Sequence, residues 1–210
     1  MKTCVIFCAA DFDSLAEPIG EQDVIIAADG GYRHTQALGI QPDLVLGDFD
    51  SLDSVPENAM IFPIQKDDTD AMLAVRQGLK MGCRRFILYG SLDGPRLDHT
   101  VANFQTLQYL CDHGAFGYLV GKDYLVTVLK KGTIRFSAEA KGTISVFCSG
   151  ADAEGVTLQG LFYALDKGTM GPAFPLGVSN HFKGEPSEIS LEKGSLLIMW
   201  ERKNGLPERE

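Results

Sequence analysis

The hydrophobic pattern of the chain, up to about residue 120, consists of short apolar runs separated by longer polar segments. Runs of this length without alternation are typical of strands that are buried on both faces of a parallel sheet. We therefore predict buried strands at each of the runs in this part of the chain. They are Cys4–Ala9, Val24–Ala28, Leu44–Leu46, Phe86–Tyr89 and Tyr118–Val120.

Two segments between these runs have apolar residues at the spacing of a helix. The first is Thr69–Met81, where Thr69 or Asp68 can cap the helix N-terminus. The second extends from Leu97 to Cys111 and is followed by Gly114, a residue type that often ends helices. Strands that alternate with helices predict an α/β domain with a mostly parallel sheet and helices on both of its faces.

The pattern changes at Asp123. From there, short strand-like segments follow one another, separated by turns such as Lys131-Gly132 and Lys141-Gly142, and no segment has the period of a helix. This arrangement is typical of a β-sandwich or barrel. We therefore predict an α/β domain over residues 1–122 and an all-β, sandwich-like domain over residues 123–210.

Composition narrows the classes of partner. The chain has 210 residues, of which 45% are hydrophobic and 22% are charged, and its formal net charge is −9. These values are ordinary for a globular protein with a hydrophobic core. The absence of a long basic run argues against nucleic acid or an anionic membrane as a partner. An acidic protein that binds phosphate groups usually does so through a metal ion.

Neither the cysteines nor the N-terminus indicates an exported or membrane protein. The five cysteines are scattered without a CxxC pair and the four histidines are dispersed, which argues against a disulfide framework and a zinc site. Lys2 precedes an apolar stretch, as in a signal peptide, but an acidic segment follows directly, so we interpret the stretch as a buried strand. We therefore predict a cytoplasmic protein with no membrane partner.

Polar clusters follow several of the predicted strands or precede a predicted helix. Each cluster alone has the composition of an ordinary turn. Because ligands of open α/β sheets bind beyond the carboxyl ends of the strands, clusters at several such ends together favour a ligand site. The clusters are ADGG at 28–31, GDFDS at 47–51, KDDTD at 66–70 and GSLDGPRLDH at 90–99.

The chemistry of these clusters points to magnesium and phosphate. Carboxylates without histidine or cysteine suit a hard cation such as Mg²⁺ or Ca²⁺, and the EF-hand pattern is absent. Lys66 and Arg96 lie within the acidic clusters, where they can neutralise phosphate oxygens. Neither a P-loop nor a GxGxxG motif occurs. Enzymes of phosphoryl or pyrophosphoryl transfer use a metal ion together with cationic side chains.

The ordered motifs DGG, PDLVLGDFDS, KDDTD and RLDHTVAN resemble those of thiamine pyrophosphokinases. The segment from Gly155 to Met199 is similar to the thiamine-binding domain of the bacterial members, so the resemblance extends over roughly Val5 to Met199. It implies transfer of the terminal pyrophosphate of ATP to the hydroxyl of thiamine, giving thiamine diphosphate and AMP with Mg²⁺. It also implies a homodimer whose active sites lie between the α/β domain of one subunit and the β domain of the other.

The resemblance assigns roles residue by residue. It implies that residues 1–122 bind nucleotide and metal, and that residues 123–210 bind thiamine and form the dimer. The metal ligands are Asp48, Asp50 and Asp70, and the catalytic residues are these three together with Asp98. The nucleotide-binding residues are Asp29, Gly30, Lys66, Asp67, Thr69 and Arg96. The thiamine-binding residues are Ser179 and Asn180, in a predicted loop from Pro175 to Gly184.

Structural roles compete with these assignments. Asp48 and Asp50 can form an acidic turn, whereas Asp70 and Asp98 can stabilise helix N-termini. Ser179 and Asn180 can simply close a turn. The chain also departs from the family pattern at Pro95, which separates Gly94 from Arg96 and lengthens the loop by one residue.

Two other functions remain open at this stage. The same phosphate chemistry can serve a pyrophosphokinase that acts on another alcohol, such as a hydroxymethylpterin. A protein of this fold can also be a non-catalytic sensor of thiamine or nucleotide. The complete β half favours thiamine as acceptor, and the intact set of carboxylates argues against a sensor.

Overall fold

A computed structural model describes residues 1–47, 59–61 and 68–210, and these residues divide into two compact units, Met1–Lys122 and Asp123–Glu210. The prediction of an α/β N-terminal part followed by a β-rich C-terminal part is confirmed. Within the described ranges, no helix is both long enough and apolar enough to cross a membrane.

The first unit contains a sheet in the order β6-β5-β1-β2-β3-β4, whose neighbouring strands pair in parallel. Its strands are rich in Ile, Val, Leu and Phe, and β1 and β5 are almost wholly buried. The strands are β1 (Thr3–Phe7), β2 (Val24–Ala28), β3 (Leu44–Gly47), β4 (Ala59–Ile61), β5 (Arg85–Tyr89) and β6 (Phe116–Val120).

Among the residues that the structure describes, three α-helices accompany this sheet, namely α1 (Tyr32–Ala37), α2 (Asp70–Lys80) and α3 (Leu97–Asp112). The two longer helices confirm the predicted helical segments. The Thr69 hydroxyl accepts a hydrogen bond from Met72 N and so caps α2, and Gly114, with φ of 67°, follows the end of α3. The sequence pattern did not predict α1 or β4, which are both short.

Strand order reverses between β1 and β5. From β1 the chain adds β2, β3 and β4 on one side, and it then crosses over to place β5 and β6 on the other side. The loops that leave β1 and β5 therefore run in opposite directions, which opens a crevice at the carboxyl ends of these two strands. This crevice is the position at which a ligand is expected in such a sheet.

The second unit consists of two antiparallel sheets with the orders β12-β9-β14-β7 and β11-β10-β13-β8-β15. Phe136 of one sheet lies edge-on to Trp200 of the other, with ring centroids 5.3 Å apart, within a buried core. The strands are β7 (Tyr124–Leu129), β8 (Gly132–Phe136), β9 (Thr143–Cys148), β10 (Ala153–Gln159), β11 (Leu165–Met170), β12 (Gly177–His181), β13 (Ser187–Leu191), β14 (Leu196–Glu201) and β15 (Glu208–Arg209).

One prediction for this unit is wrong. The segment Pro175–Gly184 is not a loop throughout, because Gly177–His181 forms β12 and pairs with β9. The register shifts between Gly177 and Asn180, and Ser179 has a positive φ of 54°, so the strand contains a bulge there. The turn-forming residues that suggested a loop instead produce this bulge.

Candidate active site

A cavity of about 310 Å³ lies in the first unit at the crevice between β1 and β5. Its lining combines the segments that follow β1, β2 and β5 with the N-terminal turns of α2 and α3. It brings together four of the predicted nucleotide or metal residues, Asp29, Thr69, Asp70 and Arg96. The other lining residues are Cys8, Ala9, Ala10, Ala28, Ala71, Gly90, Ser91, Leu92, Gly94, Pro95, His99, Thr100 and Asn103.

Glycine permits the close approach that forms one wall of the cavity. Gly90, at the end of β5, has φ of 62°, and a Cβ atom there would lie 2.3 Å from the carbonyl oxygen of Ala10. Ala10 N in turn donates a hydrogen bond to Gly90 O at 3.1 Å. Any side chain at residue 90 would therefore separate the two loops and change the shape of the crevice.

Asp29 occupies a constrained position directly after β2. Its φ of 47° is uncommon for a residue other than glycine, and aspartate tolerates it better than most residues. A Cβ atom at Gly47, the last residue of β3, would lie 3.0 Å from Asp29 Cα. The end of β3 therefore packs on the backbone of Asp29, and the predicted ligand Asp48 is the next residue in the sequence.

Asp70 begins α2 at the cavity. Thr69 and Asp70 both line the cavity, and the cap hydrogen bond of Thr69 fixes the direction of this first turn. Asp68, two residues earlier, instead binds Arg76 on the same helix through a side-chain hydrogen bond. The two carboxylates therefore have different environments. Asp70 lines the cavity, whereas Asp68 pairs with Arg76 outside it.

The Cys8 thiol is one of the potential metal donors in the lining of the cavity. Burial raises the pKa of the Cys8 thiol to about 12, and the negative charge of Asp70 acts in the same direction. In the absence of a metal ion the thiol is therefore protonated at neutral pH. The cavity lining also includes the carboxylates of Asp29 and Asp70, whose oxygens suit a hard divalent cation, and the imidazole of His99.

Arg96 lines the cavity and pairs with Asp98. Arg96 NH2 donates to Asp98 Oδ2 at 2.6 Å, and this hydrogen bond holds the pKa of the Asp98 carboxyl below its usual value. Asp98 and Gly30 are not among the described residues that line the cavity. Asp98 therefore contacts Arg96 and not the cavity itself. Arg96 lines the cavity although Pro95 lengthens the loop before it.

Four predicted site residues, Asp48, Asp50, Lys66 and Asp67, lie outside the described residues. Within the described part of the chain, no three His, Cys, Asp or Glu side chains are grouped closely enough to hold a metal ion. The predicted ligand set therefore contributes only Asp70 to the described cavity.

Ser91 and Asn103 line the cavity without having been predicted. Asn103 Nδ2 donates to the Ser91 carbonyl oxygen at 2.7 Å, and the Ser91 hydroxyl donates to Leu88 O at 2.7 Å. These bonds tie α3 to the loop after β5. The sequence carried a signal for both, because Ser91 lies in the GSLDGPRLDH cluster and Asn103 is the last residue of the RLDHTVAN motif.

In the second unit, the Asn180 side chain hydrogen-bonds to the backbone of Tyr163 and His181. Its side chain is buried, with Nδ2 donating to Tyr163 O at 2.7 Å and Oδ1 accepting from Tyr163 N at 2.9 Å. Oδ1 also accepts from His181 N at 2.9 Å. The amide therefore fixes the backbone of Tyr163 much as a neighbouring strand would.

Tyr163 belongs to a group of exposed apolar side chains in the second unit. Phe162 and Tyr163 are 68% and 67% exposed, and their ring centroids are 6.1 Å apart. Three further exposed members follow in the sequence, namely Phe174, Leu176 and Val178. Adjacent exposed aromatic side chains such as Phe162 and Tyr163 are typical of a binding surface.

Models of one protein family match segments in both units of the chain. The model of the thiamin pyrophosphokinase catalytic domain matches residues 15–115, and that of the thiamin pyrophosphokinase vitamin B1 binding domain matches residues 131–196. No match was found among curated protein sequences.

Solved structures share the fold. Thiamine pyrophosphokinase from Bacillus subtilis has a TM-score of 0.81 and 23% identity, with coverage of 96% of this chain and 99% of that chain. The protein from Geobacillus thermodenitrificans has a TM-score of 0.80 and 23% identity, with coverage of 95% and 96%. Yeast thiamin pyrophosphokinase has a TM-score of 0.70 and 13% identity, with coverage of 97% and 87%.

Proposed function

The chain belongs to the thiamine pyrophosphokinase family, and from this premise we propose which of its residues bind the two substrates and the metal ion. The enzyme converts thiamine to thiamine diphosphate by pyrophosphoryl transfer. Of the acceptors considered from the sequence, the match to a vitamin B1 binding domain favours thiamine over a pterin alcohol.

ATP is the proposed pyrophosphoryl donor, and the cavity of the first unit is its proposed site. The observation that carries this proposal is the convergence of Asp29, Thr69, Asp70 and Arg96 on one cavity at the switch point between β1 and β5. Its volume of about 310 Å³ lies within the range of small-molecule sites. In this proposal residues 1–122 form the nucleotide and metal domain, with Gly30, Lys66 and Asp67 as further nucleotide contacts.

Magnesium is the proposed metal, held by Asp48, Asp50 and Asp70. The carboxylates of Asp29 and Asp70 in the cavity lining fit a hard cation. The bound metal supplies neutralisation of the phosphate charge and a fixed orientation of the transferred group. Among the described residues, the Thr69-capped turn contributes Asp70 to the cavity, and the loop after β5 contributes Arg96.

An activity assay tests this function directly. Purified protein with ATP, Mg²⁺ and thiamine should release AMP and thiamine diphosphate in equal amounts. Replacement of thiamine by a hydroxymethylpterin should give no AMP above background. AMP release with the pterin alone would indicate a pyrophosphokinase that acts on another alcohol. No AMP release with either acceptor would indicate a protein that binds these ligands without catalysis.

Arg96 is proposed to leave Asp98 and bind phosphate oxygens of ATP, while Asp98 holds the guanidinium in position before ATP binds. Arg96→Ala should lower kcat/KM for ATP about ten- to a hundredfold, because a charge-assisted hydrogen bond to phosphate is lost. Steady-state kinetics with ATP varied at saturating thiamine measures this loss. Arg76→Ala is the matched control, since Arg76 pairs with Asp68 outside the cavity, and it should change kcat/KM less than about threefold. Equal effects of the two substitutions would contradict the role of Arg96.

The exposed face around Tyr163 is proposed to bind thiamine, with Ser179 beside it and Asn180 beneath it. An aromatic ring suits a thiazolium cation, because the face of the ring attracts positive charge. The predicted role of Asn180 as a direct contact is less well supported, since its amide already binds Tyr163 N and Tyr163 O. Asn180 then acts on thiamine by fixing the backbone of Tyr163.

Asn180→Ala should therefore affect both stability and thiamine use. Buried polar groups of Tyr163 and His181 would lose their partner, at a cost of about 1–3 kcal/mol, which lowers Tm by several degrees. The KM for thiamine should rise while the KM for ATP stays constant. Ser179→Gly is the comparison, because it removes the exposed hydroxyl and relieves a positive φ. Ser179→Gly should leave Tm unchanged or raise it. If the KM for thiamine is unchanged in both variants, this surface is not part of the thiamine site.

A homodimer with shared active sites and a cytoplasmic location complete the proposal. The exposed apolar side chains of the second unit, among them Phe162 and Tyr163, support a surface that is covered in the working enzyme. Residues 123–210 are accordingly the proposed thiamine-binding and dimerisation domain.

A further inference from the structure

Two buried thiols that the proposed reaction does not use lie near each other in the first unit. Cys4 lies in β1 and Cys83 lies in the turn between α2 and β5, and both side chains are fully buried. Each thiol shifts the pKa of the other. Cys83 Sγ also lies 3.7 Å from the carbonyl oxygen of Thr3, to which its thiol donates.

The backbone fixes this pair from several directions. Cys83 N donates to Gly78 O at 3.0 Å, and a Cβ atom on Gly78 would lie 2.8 Å from Cys4 Sγ. The glycine in α2 therefore provides the space that the Cys4 sulfur occupies. Arg84 N donates to Lys2 O at 3.1 Å, which ties together the chain segments that flank the two cysteines. Residues far apart in the sequence are thus held side by side in the folded unit.

The two sulfurs have unequal acidity. The interaction with Cys4 lowers the pKa of the Cys83 thiol, and the positive charges of Lys2 and Arg84 act in the same direction, whereas burial opposes them. The interaction with Cys83 raises the pKa of Cys4, as does burial. Cys83 is therefore the more acidic sulfur of the pair and the one more readily converted to the nucleophilic thiolate. By contrast, burial raises the pKa of both Cys8 and Cys148.

We propose that Cys4 and Cys83 form a dithiol that hydrogen peroxide oxidises to an intramolecular disulfide and that thiol reductants restore. The Cys83 thiolate attacks one oxygen of the peroxide, which forms the sulfenic acid and releases hydroxide. The Cys4 sulfur then attacks the Cys83 sulfur, its proton is lost, and water leaves as the sulfur–sulfur bond forms. In total the two thiols lose two protons and two electrons, and one peroxide becomes two waters.

This disulfide would join β1 to the end of α2. The opposite ends of these elements carry Cys8 and Asp70, which line the cavity. The cross-link would therefore connect β1 and α2 at their ends away from the cavity and should slow thermal unfolding of the unit. Peroxide can reach the pair when the turn at Met81 and Gly82 opens locally, since both residues are exposed.

Peptide mapping of the folded protein tests the proposal. A Cys111→Ser, Cys148→Ser variant, which keeps the pair and removes the two less buried thiols, is treated with peroxide and digested without reduction. We expect a peptide that links Cys4 to Cys83, its disappearance on reduction, and a rise in Tm of about 4–10 °C before reduction. The same variant with Cys83→Ala in addition should show neither the linked peptide nor the rise.

Two results would overturn the proposal. One is a linked peptide that forms only in denaturant, because the folded geometry would then not permit the bond. The other is peroxide treatment that converts Cys83 to sulfinic acid with no linked peptide, because Cys4 would then lie too far away to trap the sulfenic acid. A Cys4→Ala variant provides the reference for that second product.

Discussion

Asp70→Asn is expected to lower kcat by at least about a hundredfold while the fold is retained, because loss of one charge-stabilising group in an active site commonly costs this much. Asp70 is the first residue of α2 and lines the cavity, and its charge influences the pKa of Cys8. An asparagine has almost the same shape but no charge for the metal or for the developing charge on the phosphate. We therefore expect the loss to appear in kcat and in the dependence of the rate on Mg²⁺, rather than in Tm.

Asp68→Asn is the matched control for this prediction. Asp68 lies two residues away and pairs with Arg76, so its replacement should change kcat less than about threefold. Turnover is measured at saturating ATP and thiamine over a range of Mg²⁺ concentrations, with thermal unfolding in parallel. If Asp70→Asn keeps nearly full turnover at high Mg²⁺, or if both variants lose activity equally, Asp70 is not a metal ligand.

The elements of the first unit were predictable where a local pattern was strong. Buried apolar runs identified β1, β2, β3, β5 and β6, and helical spacing with a Thr69 cap identified α2. The helix α1 escaped prediction because Tyr32–Ala37 is a short, largely polar segment without a repeated apolar stripe. Its formation depends on the sheet beside it, since a helix of this length gains little stability of its own.

The site was predictable in composition but not in assembly. The sequence indicated that Asp29, Asp70 and Arg96 belong to loops at strand ends. It contained no information on which strands are neighbours, and the adjacency of β1 and β5 is what brings these loops to one cavity. Asn103 illustrates the same limit, because its role depends on a bond to Ser91 across the loop after β5.

Asn180 has hydrogen-bond partners within the chain that its sequence context did not indicate. An asparagine beside a serine in a turn-rich segment suggested an amide that faces a ligand. The amide instead binds the backbone of Tyr163, seventeen residues earlier, and the residue lies in a bulged strand. Sequence indicates which groups a side chain carries, whereas the tertiary structure decides which partners they satisfy.

Mixing two inactive variants should restore activity if the proposed active sites are shared between subunits. One variant carries Asp70→Asn in the first unit, and the other carries Phe162→Ala and Tyr163→Ala in the second unit. In a hybrid dimer, one site would contain both defects and the other would contain neither. With random exchange of equal amounts, about half of the dimers are hybrids, so activity should recover to about a quarter of the wild-type value.

A second mixture makes this result specific. Asp70→Asn mixed with Arg96→Ala should recover nothing beyond the sum of the parents, because both residues lie in the first unit and every hybrid site would keep one defect. Subunit exchange is verified in both mixtures by mass spectrometry of differently tagged chains. Recovery in the first mixture alone supports sites built from the first unit of one subunit and the second unit of its partner. If exchanged dimers in the first mixture stay inactive, each site is formed within a single chain, and the exposed aromatic face must then serve the thiamine of its own subunit.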